Sequence, residues 1–297
     1  MPKKLILYPC FARLTVFRFF VLLALSACAQ IPPEQQGPGP AFALMGDTPY
    51  SEGEVRRLDS LIDDLNAQPL AFVAHVGDIT GGRGPCTDEW LEARKRQFAR
   101  IRHPFVLLPG DNEWTDCHRG GFDPVERLSK WRSLFCYQQS DLKIEKQQGE
   151  YCEHVRWEFE GVLFVALNVP GSNNNLGRTP AMDAEHEGRM FAAFEWLDES
   201  IVLAESHGAA QVIVLMQADP FGRHSPDGFA RLRRVLATHA GWLKGRLVLV
   251  HGDSHVYRDD EPLPGLRRVE VHGSPFVGWL RGSIATGKLR VEVGGLY

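Results

Sequence analysis

The stretch AFALMGD, from Ala41 to Asp47, is an apolar run that closes on a glycine and an aspartate. Such a run fits a strand buried on both faces, and Gly46 permits the sharp exit from it. The pattern recurs: AFVAHVGD ends at Asp78, FVLLPGD at Asp111, VIVLMQAD at Asp219 and LVLVHGD at Asp253. Strands with carboxylates at their C-terminal ends bring them to one edge of a sheet, where open α/β proteins build ligand sites. Negative charge gathered in this way is costly unless compensated, so cations are its natural partners. The spacing of the aspartates therefore points to a metal site.

Between these runs the pattern alternates. Helices are expected near residues 51–66, where Ser51 and Glu54 form a capping box, near 87–102 with Thr87 as N-cap, and near 124–135. Strands are expected at 71–76 and 105–108. Residues 151–160 and 162–168, separated by Gly161, read as a hairpin. A polar loop, 170–180, contains Asn173, Asn174 and Asn175. A helix near 184–206, a strand at 211–216, a helix near 227–240 and a strand at 247–250 follow. Residues 267–272, 276–281 and 288–293 read as short antiparallel strands that close the fold. The order predicts a single α/β domain over residues 41–297, with one mixed sheet or two packed face to face.

With 44% hydrophobic and 24% charged residues, the chain has the composition of a soluble globular protein. A net charge of -4 offers no basic surface, so nucleic acid is not an expected partner. Lys3, Lys4, Arg13 and Arg18 precede an apolar run over residues 19–27, too short for a comfortable membrane span. This reads as a secretory signal. It ends in Leu25-Ser26-Ala27-Cys28, which resembles a bacterial lipoprotein box with Cys28 as the lipidated residue; a plain signal peptide with a chance cysteine is the alternative. Residues 29–40, rich in Pro and Gly, form a tether. The expectation is an exported, periplasmic protein held to a bacterial membrane by a lipid anchor. Of the remaining cysteines, Cys86 and Cys117 lie in loops shortly after two strand-end aspartates. Cys86–Cys117 and Cys136–Cys152 are the favoured disulfides. No C-x-x-C pair supports a cysteine-rich zinc site.

In order and spacing the strand ends resemble the calcineurin-like metallophosphoesterases, including their purple acid phosphatase branch. That family carries D-x-H, G-D-x-x, G-N-H-[DE], an isolated His after an apolar strand, and G-H-x-H. Here the blocks read Gly46-Asp47-Thr48-Pro49, Gly77-Asp78-Ile79-Thr80, Gly110-Asp111-Asn112-Glu113, Met216-Gln217 and Gly252-Asp253-Ser254-His255. Only Asp47, Asp78, Glu113 and His255 match outright. Pro49 replaces a His, Asp111 a metal-binding Asn, Asn112 a catalytic His, and Gln217 and Asp253 metal-binding His residues. The resemblance implies a sandwich of two mixed β-sheets flanked by helices, and metal-dependent hydrolysis of a small phosphate ester.

Carried over by position, one cation would rest on Asp47, Asp78 and His255. The second would rest on Asp78, Asp111, Gln217 and Asp253, with Asp78 bridging. Oxygen donors favour two divalent cations of the Mg²⁺, Mn²⁺ or Ca²⁺ type rather than Zn²⁺. Asn112 can contact the phosphate but cannot supply a proton, and general-acid help is typically worth ~10²–10⁴ in rate. His118 and His224 are candidate substitutes, and Arg119 and Arg223 candidate phosphate ligands. His75 and His251, inside apolar runs, read as core residues. Asn168 and the Asn triplet read as turn formers, Asp219 as a neighbour that orients Gln217 or caps a turn, and Trp114 as a pocket wall. The alternative is a catalytically inactive relative, a periplasmic binding or envelope protein with a structural cation.

Overall fold

The computed structural model describes residues 40–136, 142–222 and 225–297. The expectations for the signal, for Cys28 and for all of the tether but Pro40 lie outside the described residues, as do Arg223 and His224.

Ala41–Met45 forms β1, buried along its whole length as the apolar run requires. α1 (Glu52–Ala67) carries the chain to β2 (Leu70–His75), and α2 (Asp88–Phe98) carries it to β3 (Phe105–Leu107). Both strands run parallel to β1. Ser51 caps α1, its Oγ accepting the Glu54 N–H at 3.3 Å. The return half of the capping box is displaced by one residue: the Glu54 carboxylate accepts the N–H of Tyr50 at 2.8 Å. That bond fixes the backbone of Tyr50. A 3₁₀ turn, Thr115–Gly120, leads to α3 (Pro124–Phe135).

The second half begins with β4 (Glu145–Lys146), β5 (Val155–Phe159) and β6 (Val162–Ala166), the expected hairpin turning on Glu160 and Gly161, both at positive φ. A short helical turn, α4 (Gly171–Asn174), precedes α5 (Pro180–His207). α5 starts four residues earlier than expected. Thr179 caps it, and Pro180 in the first turn, which reads in sequence as the end of a loop, is well suited to that place. β7 (Val212–Leu215), α6 (Ala230–Leu243) and β8 (Leu247–His251) complete a parallel run with β6.

The closing strands depart from expectation. β9 (Arg258–Leu263), whose sequence RDDEPL carries no apolar alternation, is an edge strand protected by charge and Pro262. β10 (Leu266–Glu270) pairs parallel with β8, whereas β11 (Gly278–Ala285) crosses to the other sheet and lies antiparallel to β1, followed by β12 (Lys288–Leu296). Two mixed sheets result, ordered β12-β11-β1-β2-β3 and β4-β5-β6-β7-β8-β10-β9. Their inner faces pack together: Phe42 and Phe72 stack at 4.7 Å and meet Phe164 of the facing sheet edge-on at 5.3 Å. Helices α1 to α3 cover one outer face, α5 and α6 the other. Among the described residues no helix is long and apolar enough to cross a membrane. Both disulfides have the expected pairing, Cys86–Cys117 and Cys136–Cys152.

Candidate metal centre

The parallel strands of both sheets end on the same edge of the sandwich, and the strand-end carboxylates meet there. The backbone N–H of Asp253, after β8, donates to both carboxylate oxygens of Asp47, after β1, at 3.0 and 3.2 Å. Asp78, after β2, accepts from the Asn112 N–H at 3.0 Å and the Asn112 side-chain amide at 2.9 Å. Asp47, Asp78 and Asp111 are all buried, and burial pushes each carboxyl well above its ordinary value, with neighbouring carboxylates adding to the rise. Asp253 is pushed in the same direction, again chiefly by burial.

The backbone is strained where it delivers these groups. Asp47, Asp78, Asp253 and His255 have φ of 50°, 62°, 82° and 64°. Left-handed backbone costs a residue with a Cβ about 1–2 kcal/mol. Strain of this kind persists where surrounding structure imposes it and is characteristic of functional sites. Part of the imposition comes from Glu113. Its buried carboxylate accepts the N–H groups of Gly110, Asp78 and Ile79 at 2.7, 3.3 and 3.3 Å, tying the loops after β2 and β3 together. Burial pushes that carboxyl up to about 7 against the effect of those bonds.

Among Asp47, Asp78 and His255 stands the phenol oxygen of Tyr50. It lies 2.7 Å from Asp78 Oδ2, 3.2 Å from His255 Nε2 and 3.4 Å from Asp47 Oδ1. His255 Nδ1 lies 2.8 Å from the carbonyl of Ser274, which can only accept, so in a neutral ring the lone pair is on Nε2. Sequence reasoning passed over Tyr50. The signal was available, because Tyr50 directly precedes the N-cap of α1 and follows Asp47 by three residues.

The second set is finished differently. Asp111 Oδ2 accepts from Ser172 Oγ at 2.6 Å, and the same hydroxyl lies 2.6 Å from Asp116 Oδ1. Ser172 rides on α4, where Ser172, Asn173, Asn174 and Asn175 all have φ between 46° and 65°. Asn tolerates this conformation better than most residues, and the buried Arg189 locks it through Asn174 Oδ1 at 2.7 Å. The triplet is thus a turn former, as expected. Gly171 lets the turn approach: a Cβ there would meet Asp253 Oδ1 at 2.7 Å and Asp111 Oδ1 at 2.9 Å. Gln217 is buried beside them, but its oxygen accepts the Gly171 N–H and its amide nitrogen donates to Asp78 at 3.2 Å. A backbone N–H can only donate, so the amide is oriented with its NH₂ toward the carboxylate. Gln217 here faces the cluster as a donor.

Asp219 is a neighbour that caps a turn, its Oδ1 accepting the Phe221 N–H at 3.0 Å. It does not orient Gln217, whose side chain is held by Gly171 and Asp78. The Asp219 N–H donates to Asp253 Oδ2 at 2.9 Å, while the carboxylate faces Arg258 and Arg268. Glu270 on β10, absent from the sequence reading, holds the Ser254 N–H at 3.0 Å and pairs with Arg258, anchoring the last loop. His75 and His251 are core residues, each pushed down to about 4 by burial. Trp114 is fully buried and forms no pocket wall; the Arg189 guanidinium lies 5.3 Å from its ring. Asn168 turns to Glu153 at 2.8 Å rather than to the cluster. His118 is exposed and lies against Thr115 and Arg178, not against the carboxylates. Arg119 pairs with Asp116 at 2.6 Å and lines a cleft of about 420 Å³ next to Asn112.

The donors are of the kind a hard cation takes, although no three of these carboxylate and imidazole groups bring their donor atoms within 4.8 Å of one another. Buried, mutually repelling carboxylate oxygens with an imidazole lone pair beside them are the donors such an ion takes. Tyr50 and Gln217 occupy these acceptors with protein hydrogen instead.

No family model and no curated protein sequence matches the chain. Solved structures do match. A dimetal phosphatase from Danio rerio superposes with a TM-score of 0.56 at 14% identity, over 86% of this chain and 96% of that one. A purple acid phosphatase from yellow lupin (Lupinus luteus) seeds superposes with a TM-score of 0.51 at 12% identity, over 87% of this chain and 52% of that one, so the chain spans about half its length. At these identities the likeness establishes the fold: two mixed sheets with flanking helices, the metallophosphoesterase arrangement.

Proposed function

We propose that the chain is a divergent calcineurin-like phosphoesterase that hydrolyses a small phosphate ester with divalent cations held at the strand-end carboxylates. One observation carries the reading: Asp47, Asp78 and Asp111 are buried, with Asp253 half-buried beside them, on left-handed or tightly bonded loops delivered by strands of both sheets. Asp47, Asp78 and His255 would hold one cation, and Asp78, Asp111 and Asp253 the other. Their oxygen-rich composition favours Mg²⁺, Mn²⁺ or Ca²⁺ over Zn²⁺. When bound, such cations neutralise the carboxylates, draw phosphoryl oxygens and acidify water.

The chain's own groups complete the site. Asn112, with its amide on Asp78, is the group best placed to contact a phosphoryl oxygen. It donates a hydrogen bond and no proton, and among the described residues no histidine takes over that task, since His118 lies elsewhere. Esters with good leaving groups are therefore the expected substrates. Glu113 holds the two loops in register, and Glu270 with Arg258 holds the third. In this reading the domain is exported and anchored through a lipid on Cys28, on the strength of its N-terminal sequence.

A second reading has specific support. Tyr50, Asn112 and Gln217 together already give Asp78 three side-chain donors, as expected of a non-catalytic relative that binds a ligand or a structural cation. A screen of phosphomonoesters and diesters against Mg²⁺, Mn²⁺, Ca²⁺ and Zn²⁺ separates the two. Cation-dependent hydrolysis that is lost in Asp78→Asn supports the enzyme. Stoichiometric cation binding without hydrolysis of any ester supports the binding protein.

A further inference from the structure

The cleft beside the carboxylates has a chemistry of its own. One wall is the loop Thr80–Pro85, with Gly81, Gly82 and Gly84 around Arg83; the other is the 3₁₀ turn that carries Arg119. No aromatic or aliphatic side chain lines it. Asn112 stands at its inner end, joined to Asp78, and its Oδ1 lies 2.9 Å from the point where a Cβ on Gly82 would sit. Arg119 reaches the same point from the opposite wall, its Nη1 at 3.0 Å. The walls are tied by the Cys86–Cys117 disulfide and by the Arg119 bond to the Gly82 carbonyl at 2.8 Å.

Arg119 is held by one corner only. Nη1 takes Asp116 and Gly82, while Nε and Nη2 bond to no protein group among the described residues. Arg83 is exposed at the tip of the glycine loop and has no ion-pair partner among the described residues. Asp116 offsets one of the two charges, which leaves the cleft net positive. A neutral or apolar leaving group would find no surface to bury against. An anionic group would find two guanidinium edges suited to planar, bidentate recognition.

We propose that this cleft is a subsite for a second anionic group of the substrate. The substrate is then a small phosphate ester whose alcohol portion carries a carboxylate or a further phosphate, with Arg83 and Arg119 as specificity-determining residues. The proposal rests on the hydrolase reading above. Glycerol 3-phosphate and 3-phosphoglycerate differ only by a hydroxymethyl group against a carboxylate, so their ratio isolates the second charge. With the purified chain and saturating Mn²⁺, kcat/KM should favour 3-phosphoglycerate by ~10- to 100-fold, the scale of charge-assisted hydrogen bonds. Arg83→Ala, which loses no bond in the folded protein, should cut that ratio several-fold, and Arg83→Ala with Arg119→Ala should bring it near one. A ratio near one in the unaltered chain, or a ratio that survives both substitutions, overturns the proposal. The phosphonate analogues of the two esters, titrated by calorimetry, give the same ratio without turnover. Both esters have poor leaving groups, so if neither is hydrolysed with any cation the phosphonate ratio decides the cleft, and the ester screen above decides the hydrolase reading.

Discussion

Asp47 and His255 belong to one half of the centre, Asp111 and Asp253 to the other, and the two halves are finished in different ways. In the first, three acceptors point at one place, and the tip of a half-buried side chain, Tyr50, fills it. In the second, each acidic group is fixed by its surroundings: Asp111 by Ser172 on a strained turn, Asp253 by the Asp219 N–H, with Gln217 turned by the Gly171 N–H. The first half keeps Asp47, Asp78 and His255 of the motifs it resembles, with Pro49 in place of the first block's His, and a side chain outside those motifs completes it. The second half departs from them at every position except Asp78, and backbone geometry keeps its carboxylates in place. Identity at motif positions and readiness to bind are therefore separate properties.

Asp78 belongs to both halves, and its replacement should have the largest effect. Asp78→Asn is expected to lower hydrolysis by on the order of 10²–10³, the scale of losing one preorganised electrostatic group. Removal of one charge from a mutually repelling cluster should at the same time raise the melting temperature of the cation-free protein. Ser172→Ala should weaken cation binding ~10- to 100-fold by releasing Asp111, the range seen when a partner behind a ligand is removed. Tyr50→Phe should do the opposite for the first half. It should leave cation affinity undiminished while costing the cation-free protein about 1–2 kcal/mol for the buried acceptors it abandons. Calorimetric titration with Mn²⁺ and denaturant unfolding in EDTA measure the two quantities. Equal loss of affinity in Ser172→Ala and Tyr50→Phe would erase the distinction between the halves.

A smaller effect is expected in the pH dependence of stability. Glu113 has an ordinary value of 4.5 and is pushed up to about 7 in the fold. Its contribution is full below the unfolded value and lost as pH rises through the folded one. The raised aspartates act in the same direction. His75 and His251, pushed down from 6.5 to about 4, act oppositely: their contribution is full above 6.5 and lost as pH falls through the folded value. Bound cations favour the ionised carboxylates and leave the histidines untouched. The difference in melting temperature between Mn²⁺ and EDTA should therefore widen from pH 5 to pH 8. A difference that stays constant across that range would mean that the cluster does not take up the ion.

The strands and their order were legible because each buried run is apolar from end to end and each ends on glycine, aspartate or both. β9 was hidden because RDDEPL, an edge strand, carries no such run. The sheet to which β10 and β11 belong was hidden for another reason, since pairing partners are set by tertiary packing and leave no mark on local periodicity. In the site, the motif aspartates and His255 could be placed from sequence. The orientation of Gln217 could not, because it depends on the Gly171 N–H, 46 positions away. Tyr50 was hidden because it lies one residue beyond the first motif block, which ends at Pro49.

The central claim is that the strand-end carboxylates hold divalent cations, and equilibrium dialysis against Mn²⁺ followed by elemental analysis tests it most directly. The account predicts that the unaltered chain retains Mn²⁺ in stoichiometric amount and that Asp78→Asn, folded as judged by its melting curve, does not. A chain that retains no Mn²⁺, Mg²⁺ or Ca²⁺, or an Asp78→Asn variant that retains as much as the unaltered chain, would contradict it.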